Sequence, residues 1–201
     1  MYIWRKLDDK QRKELLAFRQ LNDRPWHSPS HRVAQNGRYL LSASCYEHRP
    51  WIGKSPQRMG DFASRLLETM EPHCQEINAW CVLPNHYHAL VFTLELPDLL
   101  GEIGRLHGRT AFIWNGEDAA RGRKVWFNCA ETCMKTERHF WATLNYVHHN
   151  PVHHGYVKRW QVWPFSSANA FLASASRQMA EEIWRMYPVL DYGKEWDPPE
   201  L

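Results

Sequence analysis

Two histidines, His86 and His88, stand one residue apart directly after a Pro84-Asn85 turn, within the stretch W-C-V-L-P-N-H-Y-H-A-L-V-F-T at residues 80–93. Proline and asparagine preset turn dihedrals, and the apolar runs on either side predict the two strands of a tight antiparallel hairpin. Because side chains alternate along a strand, both imidazoles share one face, about 6.6 Å apart along the chain. Such a pair on a stiff strand is typical of a metal site.

The strand that carries the histidines is apolar on both faces. Leu90 and Phe92 continue the histidine face, while Tyr87, Ala89 and Val91 form the opposite face. A strand of this kind is usually buried on both sides. We therefore expect a central strand of a sheet that is covered on both faces.

A second candidate group lies on a helix predicted at residues 136–150. On a wheel of about 100° per residue, its residues separate into two stripes. The core stripe comprises Phe140, Leu144 and Val147, and the polar stripe comprises His139, Thr143, Tyr146 and Asn150. Tyr146 and Asn150 are four residues apart, so their side chains are neighbours. The stripe favours either a chemical site or a helix with a half-buried tyrosine whose Asn150 caps its own end.

The elements that must position these groups follow one another as strand, helix, strand, strand, helix, strand and helix. Besides the hairpin, strands are predicted at residues 38–47 and 124–130, and helices at 57–74, from Asp98 onward and at 136–150. The last helix is expected to stop before Pro151, because a proline disfavours a helical residue in front of it. An α+β fold accommodates this order: a ferredoxin-like antiparallel sheet with helices mainly on one face.

The helix that follows the hairpin has its own start and core signals. Asp98 can cap it. Its core stripe is predicted to comprise Leu99, Ile103, Leu106 and Ile113. Before the first strand, residues 8–21 predict a short amphipathic helix, and residues 22–38 predict a basic arm without periodicity.

Basic residues cluster where they could contact a phosphate backbone. Arg105 and Arg109 lie one helical turn apart, where like charges repel slightly unless an anion lies between them. Arg121, Arg123 and Lys124 stand on a glycine-containing loop before the fourth predicted strand, a reasonable phosphate-contact cluster. A solvated surface is the alternative for the helical pair.

Composition bounds the class of protein. The chain has 201 residues, enough for one core, and a formal charge of +3. Five cysteines without repeated spacing argue against a disulfide framework, and Cys129 and Cys133 lack a second Cys/His pair that would complete a zinc site. The first residues lack the apolar segment of a signal peptide, and no apolar run approaches the roughly 20 residues of a membrane span. We expect a cytoplasmic protein with reduced thiols.

Three motifs in order carry a family resemblance. N-H-Y-H-A-L-V, followed by N-Y-V-H-H-N-P-V-H-H-G-Y-V and W-P-F-S-S, resembles the REP-associated tyrosine transposases, bacterial relatives of the single-tyrosine insertion-sequence transposases in the HUH endonuclease superfamily. The resemblance covers roughly residues 38–172. An isolated H-x-H is weak, since cupins and zinc enzymes use it too. Joined to the Tyr-x-x-x-Asn-Pro motif and the Trp-Pro-x-Ser-Ser tail, it is specific.

The resemblance implies an arrangement of the whole chain. It implies a transposase domain at residues 38–173, flanked by an N-terminal helix and arm at 1–37 and a C-terminal extension at 174–201. The histidine hairpin would lie on central strands, and the catalytic tyrosine on a C-terminal helix. Carried over by motif, the metal ligands are His86, His88 and Asn150, and the nucleophile is Tyr146.

The implied chemistry is cleavage of DNA by a phenol. Two imidazoles and an amide oxygen leave open positions that suit Mg²⁺ or Mn²⁺, which would polarise the scissile phosphate. A phenol with a pKa of about 10 is a poor nucleophile, so it needs a base or a positive charge, which His139 or His149 could supply. The phosphotyrosine product conserves the phosphodiester energy. Rejoining then needs no ATP, and no nucleotide-binding loop is visible.

The implied partner is single-stranded or hairpin DNA, because family members recognise imperfect palindromes folded from one strand. Candidate contacts to unpaired bases and their backbone are Trp126, Lys158, Arg159, Trp160 and Trp163. Core packing is the alternative for the tryptophans. A monomer and a homodimer are both compatible with the sequence. Two other functions stay open: a zinc- or iron-dependent hydrolase or oxygenase that uses the H-x-H pair, and a non-catalytic DNA-hairpin-binding protein.

Overall fold

The computed structural model describes residues 8–21 and 37–189, in two compact units, Met1–Ala34 and Gln35–Leu201. The first unit contains helix α1 (Asp9–Leu21), which confirms the helix predicted there. At its start, Asp8 Oδ1 accepts a hydrogen bond from Gln11 N (2.8 Å), and Gln11 Oε1 accepts one from Asp8 N (3.0 Å). This reciprocal pair satisfies two amides that the first helical turn leaves unbonded. Most of the predicted basic arm, residues 22–36, lies outside the described residues.

The second unit is built on a four-stranded antiparallel sheet. Its strands are β1 (Gly37–Ser44), β2 (Glu76–Val82), β3 (His86–Thr93) and β4 (Ala130–Cys133). They lie in the order β2-β3-β1-β4. This order and the connections between the strands are those of a ferredoxin-like sheet, so the predicted α+β class is confirmed. The histidine hairpin is β2 and β3; β3 lies inside the sheet and β2 lies at its edge.

Helices cover both faces of this sheet. They are α2 (Pro56–Met70), α3 (Leu96–Glu117), α4 (Glu137–His153), α5 (Ala168–Ser174) and α6 (Arg177–Met186). Helices α2 and α3 share a core with Tyr87, Ala89 and Val91 of β3. Helix α4 packs on the other face, which includes Leu90. The expectation of helices mainly on one face is therefore wrong for α4, because both faces of β3 are apolar and each requires cover.

The fourth strand begins later than predicted. Within residues 124–129, Val125 and Trp126 are buried in the core and only one bridge, Cys45 to Trp126, joins the segment to the sheet. Tyr46 N donates to Val125 O (2.7 Å) and Phe127 N donates to Ser44 O (3.0 Å), while the side chains of Val125 and Trp126 fill the α2–α3 side of the sheet. Regular pairing with β1 starts only at Ala130.

The two longest helices also depart from their predicted ends. Helix α3 starts after Glu95, so Asp98 lies in its first turn and is not its cap. Its buried stripe continues through Thr110 and Trp114, whereas Ile113, which was predicted in the core stripe, is 38% exposed.

Helix α4 is capped by Thr136, whose hydroxyl accepts a hydrogen bond from His139 N (3.1 Å). It runs past Pro151 to His153, although its end was predicted at Asn150. A proline inside a helix removes a single N–H bond and strains the preceding turn. Burial of Pro151 and the hydrogen bond from His154 N to Asn150 O (3.1 Å) accompany the extra turn.

The C-terminal part of the unit closes the sheet edge at β2. Val82 N donates to Phe165 O (2.8 Å) and Ser167 N donates to Trp80 O (3.0 Å), so the W-P-F-S-S segment covers the open edge. Helices α5 and α6, which were not predicted, follow it. Asn145 of α4 donates to the carbonyl oxygens of Ile183 (3.3 Å) and Tyr187 (2.8 Å) around the end of α6. No helix in residues 8–21 or 37–189 is long and apolar enough to cross a membrane.

Candidate functional site

The two predicted groups meet where β3 and α4 cross. His86 and His88 are 2% and 3% exposed, and Tyr146 and Asn150 are 2% and 0% exposed. His86 Nε2 lies 3.0 Å from Asn150 Oδ1, and His88 Nε2 lies 3.3 Å from the Tyr146 hydroxyl. Residues about sixty positions apart in the sequence therefore form one buried polar cluster.

The position of the cluster follows from ordinary packing. Along β3, the histidine face continues into Leu90, which packs with Phe140, Leu144 and Val147 of α4. These apolar contacts fix the rotation of α4 on the sheet. Tyr146 and Asn150, one turn apart, then both face the histidine end of β3.

The outer nitrogen of each histidine is held by a second polar side chain. His86 Nδ1 lies 2.7 Å from Asn85 Oδ1, and His88 Nδ1 lies 2.7 Å from Ser42 Oγ on β1. Both Nε2 atoms consequently face α4. Such outer partners orient histidine ligands and set which nitrogen carries the proton.

Three residues of the cluster's surroundings were missed in the sequence. Asn85 was identified only as a turn residue, although it stands next to His86. Ser42 pairs with His88 across the sheet. This pairing depends on the register between two distant strands, which no short stretch of the sequence indicates. The ring centroid of His154 lies 4.9 Å from that of His86, beyond the predicted end of α4.

The donor set fits a hard divalent cation. Among the described residues, Asn150 Nδ2 is a buried amide nitrogen without a hydrogen-bond partner, and its Oδ1 faces His86 Nε2. If Asn85 Oδ1 accepts the Nδ1 proton of His86, Nε2 carries a lone pair and meets another acceptor at 3.0 Å. In an octahedral shell with bonds of about 2.1 Å, adjacent ligand atoms are about 3.0 Å apart. His88 Nε2 could supply a further ligand.

The hydrolase alternative calls for a third histidine or a carboxylate. In residues 8–21 and 37–189, no group of three or more His, Cys, Asp or Glu side chains is arranged to hold a metal ion. The cysteines at 129 and 133 are free thiols. The oxygen that faces the histidines comes instead from the neutral amide of Asn150.

The imidazole that is hydrogen-bonded to Tyr146 belongs to His88, whereas His139 and His149 were the predicted bases. The His149 ring lies 5.4 Å from that of Trp184, and burial, followed by the charge of His153, lowers its pKa. His139 stands seven residues before Tyr146, a helical rise of about 10 Å. Burial, followed by the charge of Lys135, lowers the pKa of His139.

One arginine of the predicted phosphate cluster is committed to the protein interior. Arg123 pairs with Asp118 (2.8 Å), donates to Asn115 Oδ1 (2.9 Å) and lies 3.9 Å above the Trp51 ring. The Asp118 side chain is 3% exposed and also pairs with Lys54 (2.6 Å) and Arg58 (2.7 Å). Hydrogen bonding to Arg58 is the main cause that holds the pKa of Asp118 far below its usual value. Arg123 is thus part of a structural ion-pair hub, an arrangement that favours a structural role over the predicted phosphate contact.

The other predicted basic contacts are exposed. Arg121 lies 4.4 Å above the Phe112 ring, and Lys124 lies 4.9 Å from the Tyr46 ring centroid. Arg105 pairs with Glu102 on its own helix. The remaining exposed residues of the predicted set are Arg109, Lys158 and Arg159.

The tryptophans predicted to stack on bases divide between core and surface. Trp126 is buried, stacks on His107 at 4.2 Å and donates to Thr110 Oγ1 (3.0 Å), so core packing, the alternative stated for the tryptophans, holds for Trp126. Trp160 is half-buried and its ring is nearly parallel to that of His148 at 5.7 Å. Trp163 is also half-buried and donates to Val82 O (2.9 Å).

Comparison with known proteins agrees with the motifs. A protein of Haemophilus influenzae, provisionally named a REP-associated tyrosine transposase, is 27% identical over 153 residues, which are 66% of this chain and 79% of that protein. The REP-associated tyrosine transposase of Escherichia coli is 34% identical over 94 residues, and the match spans 46% of this chain and about half (53%) of the relative. No protein-family model matches the chain.

The fold has a solved counterpart. The structure of a REP-associated tyrosine transposase bound to a REP hairpin superposes with a TM-score of 0.58 and 20% identity, and covers 76% of this chain and 87% of that one. At this identity the match concerns the fold, and it agrees with the four-stranded antiparallel sheet and its helices. The resemblance of this chain to the REP-associated tyrosine transposases is confirmed in sequence by the two relatives, both named as tyrosine transposases.

Proposed function

We propose that this chain, which resembles the REP-associated tyrosine transposases in sequence and fold, is a metal-dependent enzyme that nicks and rejoins single-stranded DNA beside a hairpin. The observation that carries the proposal is the buried cluster in which Tyr146 and Asn150 of α4 meet His86 and His88 of β3. A phenol beside two imidazoles and an amide oxygen combines a nucleophile with a partial metal shell.

His86, His88 and Asn150 would hold Mg²⁺ or Mn²⁺ through two nitrogens and one oxygen. When bound, the cation would act as a Lewis acid that neutralises charge on the scissile phosphate. The neutral amide and the two imidazoles add no negative charge, so we expect weak, exchangeable binding.

Tyr146 is the proposed nucleophile. Its oxygen would form a bond to phosphorus as the bond from phosphorus to the 3′-oxygen of the neighbouring nucleotide breaks. The phenol loses its proton and the leaving oxygen gains one, so that one fragment ends in a free 3′-hydroxyl and the other is linked to the protein through its 5′-phosphate. Attack of a 3′-hydroxyl on the phosphotyrosine would reverse these changes and rejoin the strand without ATP.

The Tyr146 hydroxyl and a bound cation would share one partner atom, His88 Nε2. Its hydroxyl lies within hydrogen-bond distance of His88 Nε2, at 3.3 Å. A cation on His88 would require the same lone pair. A cation held there would therefore displace the Tyr146 hydroxyl from His88 Nε2.

The proposed substrate is single-stranded DNA that carries a hairpin. The solved relative is described as bound to a REP hairpin. The exposed residues among the predicted basic contacts are Arg105, Arg109, Arg121, Lys124, Lys158 and Arg159, and they are suited to phosphate contacts. Half-buried Trp160 stays the proposed aromatic contact to an unpaired base. The proposal requires no nucleotide cofactor and is compatible with a monomer or a homodimer.

Strand-specific labelling tests this function. A hairpin with single-stranded flanks is incubated with the protein and Mn²⁺, once with a 3′ label and once with a 5′ label. We expect the 3′ label to migrate with the protein in a denaturing gel and the 5′ label to appear on a shortened free strand. Tyr156→Phe serves as the matched control for Tyr146→Phe, because Tyr156 is the next phenol along the chain and is exposed. Hairpin binding without any cleavage in the presence of Mn²⁺ or of Mg²⁺ would instead indicate a DNA-binding protein without catalysis.

A further inference from the structure

Asn85 links the histidine hairpin to a neighbouring loop. Its side chain is buried, with Nδ2 lying 3.2 Å from the carbonyl oxygen of His48 and Oδ1 lying 2.7 Å from His86 Nδ1. It therefore stands between a backbone acceptor and one of the two site histidines.

The direction of these two hydrogen bonds follows from their chemistry. A backbone carbonyl can only accept, so the Asn85 amide must present its NH₂ group to His48. Its oxygen then faces His86 Nδ1 and can only accept, so Nδ1 must carry the proton of the neutral ring. The lone pair of His86 consequently lies on Nε2, the nitrogen that faces Asn150 at 3.0 Å.

His88 has no such constraint from its own outer partner. Ser42 Oγ lies 2.7 Å from His88 Nδ1, and a hydroxyl can either donate or accept. The two histidines share one strand face but differ in this respect. Ser42 therefore provides a matched control for Asn85.

The loop that contains His48 is held against the hairpin turn by backbone hydrogen bonds. Cys45 N donates to Asn85 O (2.7 Å) and Gly53 N donates to Pro84 O (2.9 Å). A Cβ atom on Gly53 would approach Pro84 Cβ to 2.3 Å, so only glycine allows this contact. Backbone and side-chain bonds together hold the Asn85 amide in one position.

The same loop contains backbone strain. Glu47 and His48 have φ angles of 56° and 51°, in the left-handed region that residues with a side chain rarely adopt. Such a backbone conformation is strained and persists only where the surroundings enforce it. The strained residue His48 is the one whose carbonyl oxygen accepts the hydrogen bond from Asn85.

We propose that Asn85 is a positioning residue that holds His86 in the Nδ1–H tautomer and so presents the Nε2 lone pair to a ligand. That the ligand is a divalent cation rests on the proposed function; the tautomer does not. Without Asn85, His86 can adopt the Nε2–H tautomer and donate to Asn150 Oδ1. In that bond His86 Nε2 would carry a proton and Asn150 Oδ1 would accept it, so neither atom could bind a ligand.

Nitrogen NMR of the full chain tests the tautomer directly. Long-range ¹H–¹⁵N spectra at about pH 8, where most imidazoles are neutral, distinguish the two tautomers of each ring. His86 is assigned by its loss in His86→Gln. We expect the Nδ1–H form in the natural protein and in Ser42→Ala, and the Nε2–H form in Asn85→Ala.

A second variant and a second measurement keep the test decisive. Asn85→Asp retains the acceptor towards His86 and should keep the Nδ1–H tautomer even if Asn85→Ala does not fold. Mn²⁺ affinity, measured by titration calorimetry without DNA, should fall tenfold or more in Asn85→Ala, the usual effect of losing an outer partner. An Nδ1–H ring in folded Asn85→Ala, or an Nε2–H ring in Asn85→Asp, would overturn the proposal. A changed tautomer with unchanged Mn²⁺ affinity would support the role of Asn85 and count against the metal-dependent function.

Discussion

Removal of the Tyr146 hydroxyl should strengthen metal binding, even though it removes the proposed nucleophile. The hydroxyl and a cation would compete for the lone pair on His88 Nε2, which lies 3.3 Å from the phenol oxygen. A typical intramolecular hydrogen bond contributes about 0.5–1.5 kcal/mol, and this one is long, so its share lies at the lower end. Tyr146→Phe lacks this hydrogen bond in the metal-free state, so Mn²⁺ no longer has to break it on binding. The Mn²⁺ dissociation constant of Tyr146→Phe should therefore be about two- to fivefold lower, since each 1.4 kcal/mol is a factor of ten.

Calorimetric titration with Mn²⁺ measures this change without DNA or turnover. Phenylalanine keeps the buried ring that packs between the histidine end of β3 and the core of α4. Tyr156→Phe, which removes a hydroxyl from an exposed ring, should leave the dissociation constant unchanged. Weaker Mn²⁺ binding in Tyr146→Phe would make the phenol a ligand or a support of the site and would refute the competition.

Three other outcomes follow from the same structure. Asp118→Asn leaves three cations around a nearly buried group, and the loss of such a carboxylate costs about 3–5 kcal/mol, which a urea titration of unfolding would detect. Arg105→Ala should lower the slope of log affinity for single-stranded DNA against log salt concentration by about 0.7. Arg123→Ala should leave that slope unchanged and lower the melting temperature of the protein. Equal slopes in the two variants would show that Arg105 does not contact the DNA. Burial lowers the pKa of both His107 and His148 to about 4, so the unfolded chain binds more protons below pH 6.5. Stability should therefore fall as the pH drops from about 6.5 to 4, by up to about 1.4 kcal/mol per pH unit for each ring, in denaturant titrations across that range.

The sequence could predict the features that depend on local periodicity. Alternation along residues 86–93 predicted which β3 side chains share a face, and the helical wheel predicted that Tyr146 and Asn150 point the same way. Both patterns reflect the geometry of a single element. The structure adds how the two elements meet, and the packing of Leu90 against α4 determines that.

The features that could not be predicted depend on contacts between distant segments. The Ser42–His88 pair results from strand register, and the ion-pair hub of Arg123 results from the meeting of α2 with the end of α3. The helix past Pro151 overrides a local preference, since tertiary packing compensates for one missing hydrogen bond. In the same way, the apolar residues Val125 and Trp126 resembled a strand but fill the core.

Tyr146 is proposed to form the covalent bond to DNA, and mass spectrometry of the adduct identifies the residue that carries this bond. After cleavage of the hairpin substrate with Mn²⁺, the DNA is digested to a short remnant and the protein is digested with trypsin. The peptide of residues 139–158 contains both Tyr146 and Tyr156, so fragmentation of one peptide distinguishes the two phenols. We expect the nucleotide mass on Tyr146 alone. A nucleotide on Tyr156 or on any other residue, or cleavage products without an adduct, would contradict it.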